Sequence, residues 1–222
     1  MRTDFRTIVL SLAGLTFAGG AANAADLYNP PPAAPPPVYA PVTAYNWSGF
    51  YLGVQGGYDW NHATTPPAFA ANEDGGIVGV YGGYNWMFTP NWLLGIDGSI
   101  NYSWASGSDP TIGVANSAGP TWKGLVRGRL GYAWDRFLVY GTAGVAGMGY
   151  TATVVGTTGT ASPWGWTVGL GAEMAIAENV TARLDYAYQD YGSFTLSGPA
   201  PIGGTPVSVK SHTLMLGIAA KF

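Results

Sequence analysis

Eight stretches of this chain set apolar side chains at every second position: Phe50–Asp59, Gly76–Trp86, Trp92–Trp104, Thr121–Ala133, Phe137–Tyr150, Trp164–Ala177, Val180–Gln189 and Ser211–Phe222. A period of two puts successive side chains on opposite faces of a β-strand. Each run is about 9–14 residues, the length a tilted strand needs to cross a bilayer with some extension beyond it. The last run shows the pattern plainly. Leu214, Leu216, Ile218, Ala220 and Phe222 alternate with Thr213, Met215, Gly217, Ala219 and Lys221. A final strand this apolar needs partner strands and hydrocarbon around it, and it is expected to close a barrel.

The connections between runs alternate in length. Long gaps at 60–75, 105–120, 151–163 and 190–210 take turns with short ones at 87–91, 134–136 and 178–179. An up-and-down barrel in an outer membrane has short periplasmic turns and longer external loops. With both termini in the periplasm, the four long gaps fall outside. They are rich in Gly, Ser, Thr, Ala and Pro and almost uncharged, so they suit surface recognition or shielding but carry no ligand motif.

Charge placement orients the faces. In the third run Leu94, Ile96, Ile100, Tyr102 and Trp104 oppose Asp97, Ser99, Asn101 and Ser103. In the fourth, Trp122, Val126, Leu130 and Tyr132 oppose Lys123, Arg127 and Arg129. The first, sixth and seventh runs behave alike, with Asp59, Glu173, Arg183 and Asp185 on the polar side. The second and fifth runs give no clear orientation. A soluble barrel would turn the polar faces to water, but these faces are too rich in Gly and too poor in Lys and Glu for that. A midplane Arg or Lys facing lipid costs about 2–4 kcal/mol. The charges are therefore expected in the lumen, with Asp59, Asp97, Glu173 and Asp185 pairing with Lys123, Arg127, Arg129 and Arg183. An eight-stranded barrel leaves an interior just wide enough for side chains to fill, so this ion-pair network is expected to plug it. An arginine-lined pore for small solutes is the competing expectation.

The tryptophans agree with a membrane setting. Trp92 and Trp104 are twelve residues apart, as are Trp122 and Trp134. On a strand tilted near 40° that interval is roughly 30 Å along the membrane normal, close to the spacing of two aromatic girdles. The run ends Gly56-Gly57-Tyr58-Asp59-Trp60 and Gly82-Gly83-Tyr84-Asn85-Trp86 echo each other. At the N-terminus, Arg2 and Arg6 precede an apolar run from Ile8 to Ala18 and then Ala22-Asn23-Ala24. That is the layout of a secretory signal peptide, cleaved before Ala25. The expected organisation is a signal peptide over 1–24, a Pro-rich periplasmic leader over 25–46 and a β-barrel over 47–222. Pro fixes φ and lacks an amide donor, so NPPPAAPPPVYAP at 29–41 reads as an extended spacer.

Together these features resemble the eight-stranded outer-membrane β-barrel family of alphaproteobacteria, often labelled porin-family or opacity-type surface proteins. The residues that carry the likeness are Trp47-Ser48-Gly49-Phe50-Tyr51-Leu52-Gly53, Gly83-Tyr84-Asn85-Trp86 and Arg183-Leu184-Asp185-Tyr186-Ala187-Tyr188. The resemblance implies an all-β transmembrane barrel of eight antiparallel strands embedded in outer-membrane lipid. It also implies that Phe222 is the signal read by the barrel-assembly machinery, and that haem or a host surface is a possible ligand class.

Little conventional chemistry is available. There is no Cys, and the two histidines, His62 and His212, fall near the outer rim where first and last strands pair. A rim His resembles barrel enzymes that modify lipid A, but no nearby acid or nucleophile completes a set. Two histidines without a spaced carboxylate make no metal motif. No catalytic residue, metal or cofactor is expected. With a net charge of −3 there is no basic patch for nucleic acid. The expected function is a structural surface barrel that supports the envelope.

Overall fold

The computed structural model describes residues 45–65, 69–106, 117–154, 156–200 and 203–222. The expected signal peptide over 1–24, nearly all of the expected Pro-rich leader and residues 66–68, 107–116, 155 and 201–202 lie outside the described residues. The strands are β1 (Gly49–Thr65), β2 (Phe69–Met87), β3 (Trp92–Ser103), β4 (Ser117–Trp134), β5 (Phe137–Val154), β6 (Thr157–Ala161), β7 (Trp164–Ala175), β8 (Val180–Thr195) and β9 (Pro206–Lys221). Every pairing is antiparallel, and β9 pairs with β1 to close the sheet on itself. Eight strands make the barrel. The ninth, β6, folds back on the C-terminal end of β5 and bridges Ser197 through Thr160. It occupies the wall beyond the point where the short β7 begins.

Following paired residues round the wall gives the stagger. Tyr51 leads to Gly83, Asp97, Arg127, Gly144, Thr167, Gln189, Ser211 and back to β1 at Asn61, an advance from 51 to 61 of ten residues. With ~3.3 Å per residue and ~4.8 Å between strands, this stagger sets a strand tilt of about 40°.

Two ends can be distinguished. At the turn end, residues 88–91, 135–136 and 176–179 connect the strands. Asp135 takes the left-handed conformation (φ 52°) in a two-residue hairpin turn, which a short polar side chain tolerates. At the loop end the strands run well past the expected limits. Most of 60–75, about half of 190–210 and part of 151–163 is strand, so these parts are wall and not open loop. The periodicity was weak there because Ala63, Thr64, Ala152 and Thr153 do not contrast in polarity.

The exterior is a hydrocarbon surface. Among the described residues thirty-six large hydrophobic side chains are exposed, among them Leu52, Val54, Ile96, Ile100, Leu170 and Leu216. An apolar area of this extent is incompatible with a water-facing monomer. It is bordered by aromatic rows: Phe50, Trp86, Trp92, Tyr132, Trp134 and Phe137 at the turn end, and Tyr58, Trp60, Trp104, Trp122, Trp164 and Trp166 at the loop end. Trp92 packs edge-on against Tyr132 across the strand pair, with ring centroids 5.2 Å apart. Outward-facing Asp74, Asp190 and Lys210 lie at or beyond the loop-end row, and Lys210 and Asp190 approach to 3.9 Å.

The second and fifth runs are now oriented. β5 turns Leu138, Tyr140, Ala146, Met148 and Tyr150 inward and Phe137, Val139 and Val145 outward, so it is apolar on both faces. β2 turns Ile77 and Tyr81 inward against outward Val78, Val80 and Trp86.

Candidate functional site

The lumen is filled in layers. At the turn end Trp47, Leu93, Leu138 and Ala175 form an apolar floor, with Tyr45 and Met87 packed against it. Trp47 is held there by its indole N–H, which donates to the Asp135 carbonyl at 3.4 Å. At the loop end a second apolar layer contains Leu125, Met148, Tyr150, Leu196, Val207 and Val209. The charged residues occupy the space between.

All eight expected lumen charges point inward and fall into two groups. Lys123 of β4 crosses the lumen to Asp59 of β1, with Nζ 2.7 Å from Oδ2. Its other donors reach Asn61 Oδ1 and the Ser211 hydroxyl, each at 2.7 Å. Asp59 also accepts from Ser211 at 2.8 Å, Asn61 at 2.9 Å and Thr213 at 3.0 Å. Neither residue has exposed side-chain surface. Burial without solvent is tolerable because Lys donors and carboxylate lone pairs are satisfied together.

The second group holds three arginines and three acids. Arg127 sits 2.6 Å from Asp97 and 2.9 Å from Asp185, bridging β3 to β8. Arg183 reaches Asp97 at 3.0 Å and donates to the side-chain oxygen of Gln55. Arg129 lies 2.8 Å from Glu173. The guanidinium planes are also covered by rings: Arg129 is 3.7 Å above Tyr140 and Arg183 is 3.3 Å above Tyr81. Desolvated cation–π contacts of this kind contribute about 2 kcal/mol. Tyr51 and Tyr140 donate their hydroxyls to Asp97 and Asp185, each at 3.0 Å.

Glycine makes room for these rings. A Cβ at Gly171 would stand 2.1 Å from the Tyr140 ring, and one at Gly217 would stand 2.8 Å from the Tyr81 ring. Between the two ion groups remains a cavity of about 10 Å³ beside Gln55, Ser99, Arg127, Asp185, Gln189 and Met215. That is room for about one water.

Sequence reasoning passed over Tyr51, Tyr81, Tyr140, Gln55, Asn61, Ser211 and Thr213 as members of this network. Their parity on each strand matches that of the charges, and that signal could have found them. Glu73 was placed in a loop. It is buried near Lys123, with Tyr150 donating its hydroxyl to one carboxylate oxygen while the other has no partner.

The expected girdle residues Trp92, Trp104, Trp122 and Trp134 all face outward, Trp92 and Trp134 in the turn-end row and Trp104 and Trp122 in the loop-end row. Phe222 also faces outward at the turn end, and its amide donates to the Phe50 carbonyl across the β1–β9 seam at 2.9 Å. The histidines lie on the outer wall of the same seam, where His62 opposes Lys210 and His212 opposes Trp60. His62 contacts the Asn72 side chain and His212 the Tyr186 hydroxyl, each at 2.7 Å. Among the described residues no acid stands in hydrogen-bond contact with either ring. Among the described residues no three His, Cys, Asp or Glu side chains are grouped to hold a metal.

Known proteins share this architecture. The sequence model for the outer membrane protein β-barrel domain matches residues 11–222. A 25 kDa outer-membrane immunogenic protein of Brucella abortus is 31% identical over the full length of both chains. A 22 kDa outer membrane protein of Rhizobium leguminosarum is 38% identical over 82% of each. Neisserial surface protein A superposes with a TM-score of 0.51 over 79% of this chain and 98% of its own, at 18% identity, a likeness of fold alone. The chain belongs to the outer membrane protein β-barrel family, and its apolar band is the part that sits in the outer membrane.

Proposed function

We propose that this protein is a closed, non-catalytic surface barrel that braces the outer membrane and presents its loop end outward, with both termini in the periplasm. One observation carries the closed reading: salt bridges cross the lumen in two groups, with apolar layers above and below them. A solute path would have to break these pairs and leave charges unpartnered in a low-dielectric interior. The Brucella relatives are named immunogenic, which supports exposure of one end at the cell surface. Planar-bilayer recording of the purified barrel tests the reading. No steady conductance is expected, and a stable sub-nanosiemens channel would replace it with a narrow diffusion pore.

Sidedness has its own test, because the chain contains no Cys. A cysteine introduced by Ser162→Cys at the loop end should react with a membrane-impermeant maleimide on intact cells. Thr89→Cys at the turn end should react only after the outer membrane is permeabilised, and the reverse pattern would invert the orientation. The outward Phe222 at the turn end of the β1–β9 seam suits recognition by the assembly machinery.

A further inference from the structure

The outer wall carries a groove of about 460 Å³ across β2, β3, β4 and β5, lying between the two aromatic rows. Its floor is made by Gly82, Gly98, Gly124 and Gly147. Gly82 pairs with Gly98 and Gly124 with Gly147, so missing side chains on neighbouring strands align into one diagonal channel. Trp122 and Trp164 flank its mouth at the loop-end row. With the ~40° tilt, Gly82 lies about 16 Å nearer the turn end than Trp122 along the barrel axis. That is about half of a ~30 Å hydrocarbon core, the depth of one leaflet. No charged side chain lines the groove.

We propose that this groove, in the orientation proposed above, binds one acyl chain of a lipid of the external leaflet, with the headgroup at the Trp122–Trp164 mouth and the chain running over the glycines to the midplane. The lining suits a methylene chain and offers nothing to a headgroup, so selection is by chain shape. The groove is continuous with the lipid-facing band and opens at interface height, where an acyl chain begins. A second barrel fits it less well. Two convex walls would meet at the protruding indoles and leave the glycine floor uncovered, with a void that loses dispersion contact.

The test is lipid retention by the purified full barrel in micelles doped with dipalmitoyl phosphatidylethanolamine, read by intact mass. A Cβ at Gly98 meets nothing nearer than 3.8 Å, so Gly98→Leu fills the groove without displacing the wall. Gly128→Leu, at another outward glycine whose nearest neighbour would be 3.7 Å away, is the control outside the groove. Wild type and Gly128→Leu should retain one more phospholipid than Gly98→Leu, with folding checked by heat-modifiable gel mobility. Equal retention overturns the site. Wild-type dimers that Gly98→Leu disperses would also overturn it and assign the face to a second copy. A second measurement needs no groove-filling variant: wild type titrated into vesicles with chain-brominated phosphatidylcholine should show saturable tryptophan quenching at low mole fraction. That phase should be lost in Trp122→Phe with Trp164→Phe. Quenching strictly proportional to bromine content overturns the proposal.

Discussion

Asp97 is the acid on which two cations converge, and Asp97→Asn is the most informative single change. Arg127 approaches it at 2.6 Å and Arg183 at 3.0 Å, and the Tyr51 hydroxyl donates to it as well. Asparagine keeps the shape and withdraws the charge. Arg127 then still holds Asp185 at 2.9 Å, but Arg183 is left with the neutral Gln55 and the face of Tyr81. Stranding one member of a buried pair costs about 3–5 kcal/mol. Asp185→Asn leaves every arginine with an acid, since Arg127 keeps Asp97. Its cost should therefore be nearer that of weakened charged hydrogen bonds, about 1.5–3 kcal/mol. Urea unfolding of the barrel in vesicles, followed by tryptophan fluorescence, gives both numbers. The midpoints should fall with the slope unchanged, which marks a loss of stability and not a change in exposed surface. Conductance should remain absent in both, because neither change opens space. If Asp185→Asn proves as damaging as Asp97→Asn, the convergence of two arginines on Asp97 is not what holds the lumen together.

Three further outcomes are expected. Leu216→Arg places a cation in the middle of the lipid-facing band and should cost about 2–4 kcal/mol in the same unfolding assay, whereas His62→Arg at the rim should stay within about 1 kcal/mol; equal effects would deny the band its lipid contact. Trp47→Ala empties the apolar floor beneath Leu93 and Leu138 and should cost about 3–5 kcal/mol, with the unfolding midpoint as readout. Deleting Phe222 should lower the yield of heat-modifiable barrel in cells more than deleting Gly156, a loop-end turn residue, and equal yields would remove Phe222 from assembly.

The fold was legible where one face carried charge. On β3, β4 and β8 each inward charge has an outward Leu, Ile, Val or aromatic residue on at least one side, and no competing assignment survives the cost of a lipid-facing Arg. β5 was opaque for a physical reason. It passes both apolar layers of the lumen, so Leu138 and Met148 inside look no different from Val139 and Val145 outside. The loop-end extensions were hidden because a wall that leaves the membrane no longer needs an apolar exterior. In the lumen, parity alone located the eight charges. Which acid meets which base was not legible, since Lys123 and Asp59 are 64 positions apart and meet only through the ten-residue stagger. Gly171 and Gly217 carried no sequence signal of their own, because their purpose is defined by the rings of Tyr140 and Tyr81.

The seam has a consequence for the order of events in assembly. Asp59 lies on β1, its cation comes from β4 and two of its hydroxyl donors come from β9. Arg183 of β8 finds its acid on β3. A half-built sheet in lipid would carry these charges without their counterparts, at several kcal/mol each. Partial structures are therefore excluded from the hydrocarbon by their own interior, and they must stay wet until β9 meets β1. Closure and neutralisation then occur together, so the lumen network acts as a gate on the timing of insertion as well as a filling for the finished barrel.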